Sequence, residues 1–261
     1  ADRAQRLGLK VRRLNSSDVE ALEPSTSIRA AGGVHFLDDC HLDPGALVRE
    51  LKNQLQAAGL EFRYGEPVTG FAKSGNRIAA VKTPRGEFSF DHVVVAGGSW
   101  SGWLTKWMGF RMPLQGGKGY SVDIPRTPLP EHCYILVEAR IAVTPIAGKL
   151  RFAGTMEIVG DDLSINSARY RGLLDSIPTY MPDFSPGDFQ DLTPWSGLRP
   201  CSADGLPYLG RPERIENVVV ATGHSMMGIS LAPVSGKIVA DLIQGEKPPV
   251  DLETLRPDRF G

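Results

Sequence analysis

Two uninterrupted apolar runs, Val93-Val94-Val95-Ala96 and Val218-Val219-Val220-Ala221, each stop on a glycine-bearing turn, and no other feature constrains the fold of this chain as much. A strand with one wet face alternates apolar and polar residues. A run with no polar position belongs to a strand covered on both faces, as in the parallel sheets of α/β folds. The first run ends at Gly97-Gly98-Ser99-Trp100-Ser101 and the second at Thr222-Gly223-His224. Open α/β sheets bind ligands beyond the carboxyl ends of their strands, and glycine there lets backbone approach a flat or phosphorylated ligand closely. Two ordinary tight turns would show the same pattern.

The rest of the chain builds around these runs. Asn15-Ser16-Ser17-Asp18 caps a short helix stopped by Pro24, and Val34–Leu37 reads as a strand. The clearest helix covers about Pro44–Ala58: Asp43 caps it, Leu47, Leu51 and Leu55 recur at four-residue spacing, and Gly59 ends it. Glu61–Tyr64 reads as a strand, and Val68–Lys73 with Arg77–Thr83 as a hairpin turned at Ser74-Gly75-Asn76. From about Pro113 to Ser196 the character changes. Short strand-like pieces at Tyr120–Ile124, Tyr134–Val137, Ile141–Pro145 and Arg151–Thr155, with a helix over Asn166–Ile177, predict an antiparallel sheet set between two α/β pieces. A last helix opens near Pro233 and ends at Gly245.

Charge and cysteine usage exclude several functions. With 29 basic and 30 acidic residues the net charge is −1, and no basic excess points to nucleic acid. No apolar run of about 18 residues predicts a transmembrane segment. Three cysteines, Cys40, Cys133 and Cys201, make a poor disulfide framework and fit a reducing, cytoplasmic setting. No pair of the five histidines stands at metal-ligand spacing with a cysteine or carboxylate, so no metal site is expected. Ser99 follows a strand like the nucleophile of an α/β hydrolase, but Ser101 occupies the position where that elbow needs glycine.

Arg199, in Ser196-Gly197-Leu198-Arg199-Pro200, offers a planar fork that matches a carboxylate bidentately. An arginine before a proline is also a common surface ion-pair residue. Taken together, Gly197-Leu198-Arg199-Pro200, Asp204-Gly205-Leu206-Pro207-Tyr208-Leu209-Gly210, and Gly223-His224 through Gly228-Ile229 to Ala232-Pro233 resemble the C-terminal signature of the D-amino-acid oxidase superfamily, closest to glycine oxidase and D-amino-acid dehydrogenase. His41-Leu42-Asp43-Pro44, Pro67-Val68, Val93–Ser101, Lys118-Gly119 and His132-Cys133-Tyr134-Ile135 extend the likeness over nearly the whole chain.

The resemblance implies an α/β protein, α+β in its substrate part: an incomplete FAD-binding Rossmann-like domain plus a mixed or antiparallel-sheet substrate domain. Residues 1–40 would belong to the substrate or cap region, 41–112 to the FAD-binding domain, 113–196 to the substrate domain, and 197–261 to the FAD-binding domain again. Val68 would meet the adenine end of FAD, Gly97 and Trp100 its middle, and Gly223, Met227, Gly228 and Ile229 the flavin ring. Arg199 and Tyr134 would bind the carboxylate of an amino acid or amine whose C–N bond is oxidised by hydride transfer. Met226-Met227 stand where glycine oxidase has an Arg-Asn pair, which favours an apolar substrate over glycine. A dehydrogenase of this kind would associate peripherally with the inner membrane.

One motif of the resemblance is missing. The family holds the FAD pyrophosphate on Gly-x-Gly-x-x-Gly after its first strand, and this chain has no such motif. With an opening, Ala1-Asp2-Arg3-Ala4-Gln5-Arg6, that reads like the interior of a helix, this implies loss of about the first third of the parent protein. The expected consequences are weak or no FAD binding by this chain and a homodimer through exposed strand edges. The rival reading is an inactive, self-associating remnant.

Overall fold

The structure, a computed structural model, describes residues 1–261. The chain divides into two compact units: Ala1–Lys52 with Gly119–Met156 and Ser164–Gly197, and Asn53–Lys118 with Glu157–Leu163 and Leu198–Gly261. Their boundaries differ from the sequence reading: residues 113–118, read as substrate domain, fall in the second unit, and Gly197, read as FAD-binding domain, falls in the first. Most of the helix after Asp43 falls in the first unit, and residues 157–163, read as substrate domain, fall in the second.

The first unit opens with α1 (Asp2–Arg6), β1 (Val11–Asn15), α2 (Ser16–Leu22), β2 (Gly32–Phe36) and α3 (Pro44–Ala57). Asn15 caps α2 reciprocally: its side chain accepts from the Asp18 amide, and the Asp18 carboxylate accepts from the Asn15 amide, both at 2.9 Å. β1 carries no strand signal of its own and forms because it pairs antiparallel with β2, Val11 opposite Phe36. Asp43 caps α3 by accepting from the Gly45 and Ala46 amides.

The second unit begins with the meander β3 (Gly70–Ser74), β4 (Arg77–Thr83) and β5 (Gly86–Phe88), then β6 (Val93–Val95) and α4 (Ser101–Met108). Glu61–Tyr64 is not a strand. Its side chains are satisfied locally: the Phe62 and Tyr64 rings stack at 6.0 Å, and Arg63 bonds Glu61 and lies over the Phe88 ring.

A five-stranded sheet follows in the order β11-β7-β10-β9-β8, from β7 (Leu114–Pro125), β8 (Tyr134–Leu136), β9 (Ile141–Ile146), β10 (Lys149–Ile158) and β11 (Trp195–Ser202). Helix α5 (Ser167–Tyr180) covers it within the first unit, capped by Asn166. Leu173 and Ile177 pack on Val122, Val143, Leu150 and Phe152, beside Phe184 and Phe189. The approach is close enough that a Cβ on Gly154 would come within 2.8 Å of Leu173 Cδ1.

The second unit closes with β12 (Tyr208–Gly210), β13 (Val218–Thr222) and α6 (Gly228–Gln244). β13 is buried on both faces, with Val218, Val219 and Val220 fully inaccessible, as its sequence demands. β6 is not. In the order β12-β13-β6 it is the edge strand, and Val94 stays 42% exposed. Helix α6 starts at Gly228, five residues before the expected Pro233, so Pro233 lies inside the helix and has no amide to offer the Ile229 carbonyl. Ser225–Gln244 has the length and composition of a membrane span. Its Lys237–Asp241 ion pair, with Asp241 buried, is unlike one, and the chain has no clear transmembrane span.

Candidate functional site

β6 and β13 run parallel, Val93 beside Val218 and Val95 beside Val220, so their carboxyl ends lie side by side. Both then turn on a glycine with positive φ, Gly98 at +56° and Gly223 at +78°, where L side chains are strained. The turns are tied together, since Thr222 Oγ1 donates to the Gly98 carbonyl at 3.1 Å. The space at Gly223 is also closed, because a Cβ there would lie 3.0 Å from Tyr208 Cδ2.

Around these turns the chain presents apolar surface and spare donors. Trp100, Met226, Met227 and Ile229 are exposed, Met226 to 73%. Ser99 and Ser101, which flank Trp100, have buried hydroxyls with no hydrogen-bond partner. A short 3-10 turn at Ser225–Met227 delivers the chain into α6, so Gly228 and Ile229 form the helix's first turn and their amides have no partner within it. His224 Nε2 meets Ser235 Oγ at 2.9 Å, holding the loop to α6. Burial pushes the His224 imidazole below its ordinary pKa, so it is neutral at physiological pH. Exposed aromatic and thioether surface, two glycine turns and unspent donors at the carboxyl ends of parallel strands fit a flat, polar-edged cofactor.

Arg199 enters from β11 in the same unit. It is half-buried, and burial lowers its pKa from the ordinary value. Its Nη1 donates to the Gly117 carbonyl at 3.5 Å. Two residues on, Cys201 bridges to His224 in the ladder and its Sγ lies 3.6 Å from Ser225 Oγ, which attaches β11 to the loop after β13.

Of the residues singled out in the sequence, Gly97, Trp100, Gly223, Met227, Gly228 and Ile229 therefore gather at one end of the three-stranded sheet, with Arg199 on the strand bridged to it. Val68 precedes β3, just ahead of the point where the Thr69 amide meets Lys82. Tyr134 lies in the first unit. Its ring packs against the α5 core, its hydroxyl donates to Met181 Sδ at 3.5 Å, and burial raises its pKa. Thr222, Ser235 and Cys201 join the site only through contacts distant in sequence, and no local pattern marks them.

Comparison with known proteins identifies the family and the fold. The family model for FAD-dependent oxidoreductases of the DAO type matches residues 1–242. A D-amino acid dehydrogenase of Paramagnetospirillum magneticum is 34% identical over 96% of this chain, and one of Neisseria gonorrhoeae 28% identical over 98%. The chain spans 60% and 62% of the length of these two curated relatives. Glycine oxidase from Geobacillus kaustophilus superposes with a TM-score of 0.86 at 26% identity, over 99% of this chain and 69% of that one. L-proline dehydrogenase from P. horikoshii, at 21% identity and a TM-score of 0.85, covers 98% and 70% and shares the fold. The chain belongs to the DAO family of FAD-dependent oxidoreductases.

Proposed function

We propose that the protein to which this chain belongs oxidises the C–N bond of an amino acid, with Arg199 as the carboxylate anchor. The observation that carries this reading is the half-buried guanidinium of Arg199 on the strand bridged to the glycine-turn loop. A guanidinium fork suits a carboxylate in two parallel hydrogen bonds and so fixes its plane. FAD, when bound, supplies the hydride acceptor for the substrate's α-carbon.

The chain's own residues orient the reactants and shape their surroundings. Arg199 fixes one end of the substrate and so restricts where the α-carbon can lie, a contribution of orientation more than of proton transfer. The amides of the first turn of α6, with the positive pole of that helix, are donors for partial negative charge at the cofactor's ring edge. His224, neutral and engaged with Ser235, holds that loop in place. The exposed thioethers of Met226 and Met227 favour an apolar substrate side chain. The free cysteines suit a reducing, cytoplasmic location.

A second reading, a self-associating module without activity, draws on the open edge of β6. Kinetics at saturating FAD decide between the two. Arg199→Ala is expected to lower kcat/KM for the best amino acid at least ~100-fold, as for the loss of a charge-assisted hydrogen bond pair. Both measurements are made on the full-length protein: unchanged kinetics would remove Arg199 from the site, and a full-length protein inactive with every amino acid at saturating FAD would favour the module.

A further inference from the structure

The short loop Val159–Asp162 is bound into the second unit through Gly116, Trp103 and Lys118. The Val159 amide donates to the Gly116 carbonyl at 3.1 Å, Trp103 Nε1 to Asp161 at 3.0 Å, and Lys118 Nζ to Asp162 at 2.8 Å. The last pair is asymmetric: the Lys118 side chain is 2% exposed and that of Asp162 51%. Packing here leaves no slack. A Cβ on Gly116 would overlap the Gly160 carbonyl oxygen and come within 3.1 Å of Leu198 Cδ2. Gly117, between Gly116 and Lys118, gives its carbonyl to Arg199.

We propose that Lys118 and Asp162 are positioning residues for Arg199. A buried ammonium holds its carboxylate tightly because the alternative is an uncompensated charge out of water. The pair therefore clamps the loop onto the start of β7, and the clamp sets the backbone of Gly116-Gly117-Lys118. The Gly117 carbonyl in turn fixes the guanidinium at its Nη1 edge. The role rests on the proposed function only in taking Arg199 as the carboxylate anchor.

Three variants test it: Lys118→Met, Asp162→Asn, which changes a half-exposed side chain and is compatible with folding, and Lys118→Arg, which keeps the charge. Amide hydrogen exchange on the purified chain needs no cofactor. In Lys118→Met and Asp162→Asn, exchange over residues 116–118 and 198–201 is expected to quicken about tenfold, while Val218–Val220 stay unchanged. Lys118→Arg is expected to restore protection. Unchanged exchange over 198–201 in Asp162→Asn overturns the proposal. At saturating FAD, Asp162→Asn is expected to raise KM for an amino acid ~10-fold with kcat changed less than ~2-fold, and to leave oxidation of an amine lacking the carboxylate as it was. Quickened exchange with KM unmoved also overturns the positioning role, provided Arg199→Ala raises KM. If Arg199→Ala leaves KM unmoved as well, the carboxylate-anchor reading fails and this inference falls with it.

Discussion

Substituting Gly223 by alanine places two separable costs on the loop after β13. At φ +78° an L residue is strained by ~1–2 kcal/mol. The new Cβ would also lie 3.0 Å from Tyr208 Cδ2 and 3.3 Å from its amide nitrogen. Tyr208 has little freedom to yield, being fully buried, with its hydroxyl donating to the Pro113 carbonyl at 2.6 Å and Arg259 lying over its ring at 4.1 Å. Overpacking against so fixed a neighbour adds ~1–3 kcal/mol. Gly205 isolates the two parts, for its φ is +80° and nothing lies within 4 Å of its Cβ position. Gly205→Ala is therefore expected to cost only the dihedral part, and Gly223→Ala ~1–3 kcal/mol more. Urea unfolding followed by circular dichroism measures both differences, and an unchanged m-value licenses the comparison. In the double variant Gly223→Ala/Tyr208→Leu, part of the excess should return, because the two residues share one contact. Equal losses at Gly223 and Gly205 would refute the claim that the wall formed by Tyr208 shapes this turn.

Three further outcomes are expected. In a substrate panel, the full-length protein loaded with FAD is expected to turn over apolar amino acids faster than glycine, given the exposed Met226 and Met227, and glycine in first place would refute this. The purified 261-residue chain binds FAD with Kd above ~1 μM in a fluorescence titration. No Gly-x-Gly-x-x-Gly turn is present to satisfy the pyrophosphate, and each missing charge-assisted bond costs ~1.5–3 kcal/mol. Sub-micromolar binding would show that the glycine turns and α6 suffice. Arg259 grips Asp204 at both carboxylate oxygens and holds its pKa down at about 2. A carboxyl depressed in the folded state stabilises fully above its unfolded pKa, ~3.9, and loses that stabilisation as pH falls through the folded value. Urea midpoints should therefore drop between about pH 4 and 2. Asp204→Asn should lack that portion of the drop, and an identical acid profile in the variant would refute the assignment.

Features whose cause lies within a few residues were legible in the sequence. Asn15 and Asp18 cap α2 because a side chain reaches an amide three residues away, and Asp43 and Gly59 bound α3 in the same local manner. The turn at Gly75 and the glycines after β6 and β13 follow from dihedrals that only glycine adopts easily. Arg199 and the glycine turns were found as sequence motifs, but nothing in them says what holds them.

Tertiary structure decided the rest, because its causes are partners far away in the chain. β1 exists because β2 pairs with it, while Glu61–Tyr64 has strand-like composition and no ladder to join. The runs at Val93 and Val218 look alike, yet β13 is central and buried while β6 is an edge with Val94 exposed, a difference set by sheet order alone. The bonds that link Thr222 to Gly98, His224 to Ser235 and Arg199 to Gly117 span 124, 11 and 82 residues. Side-chain type determines what each residue can bond, but which group comes within reach is set only when the sheets and helices have packed.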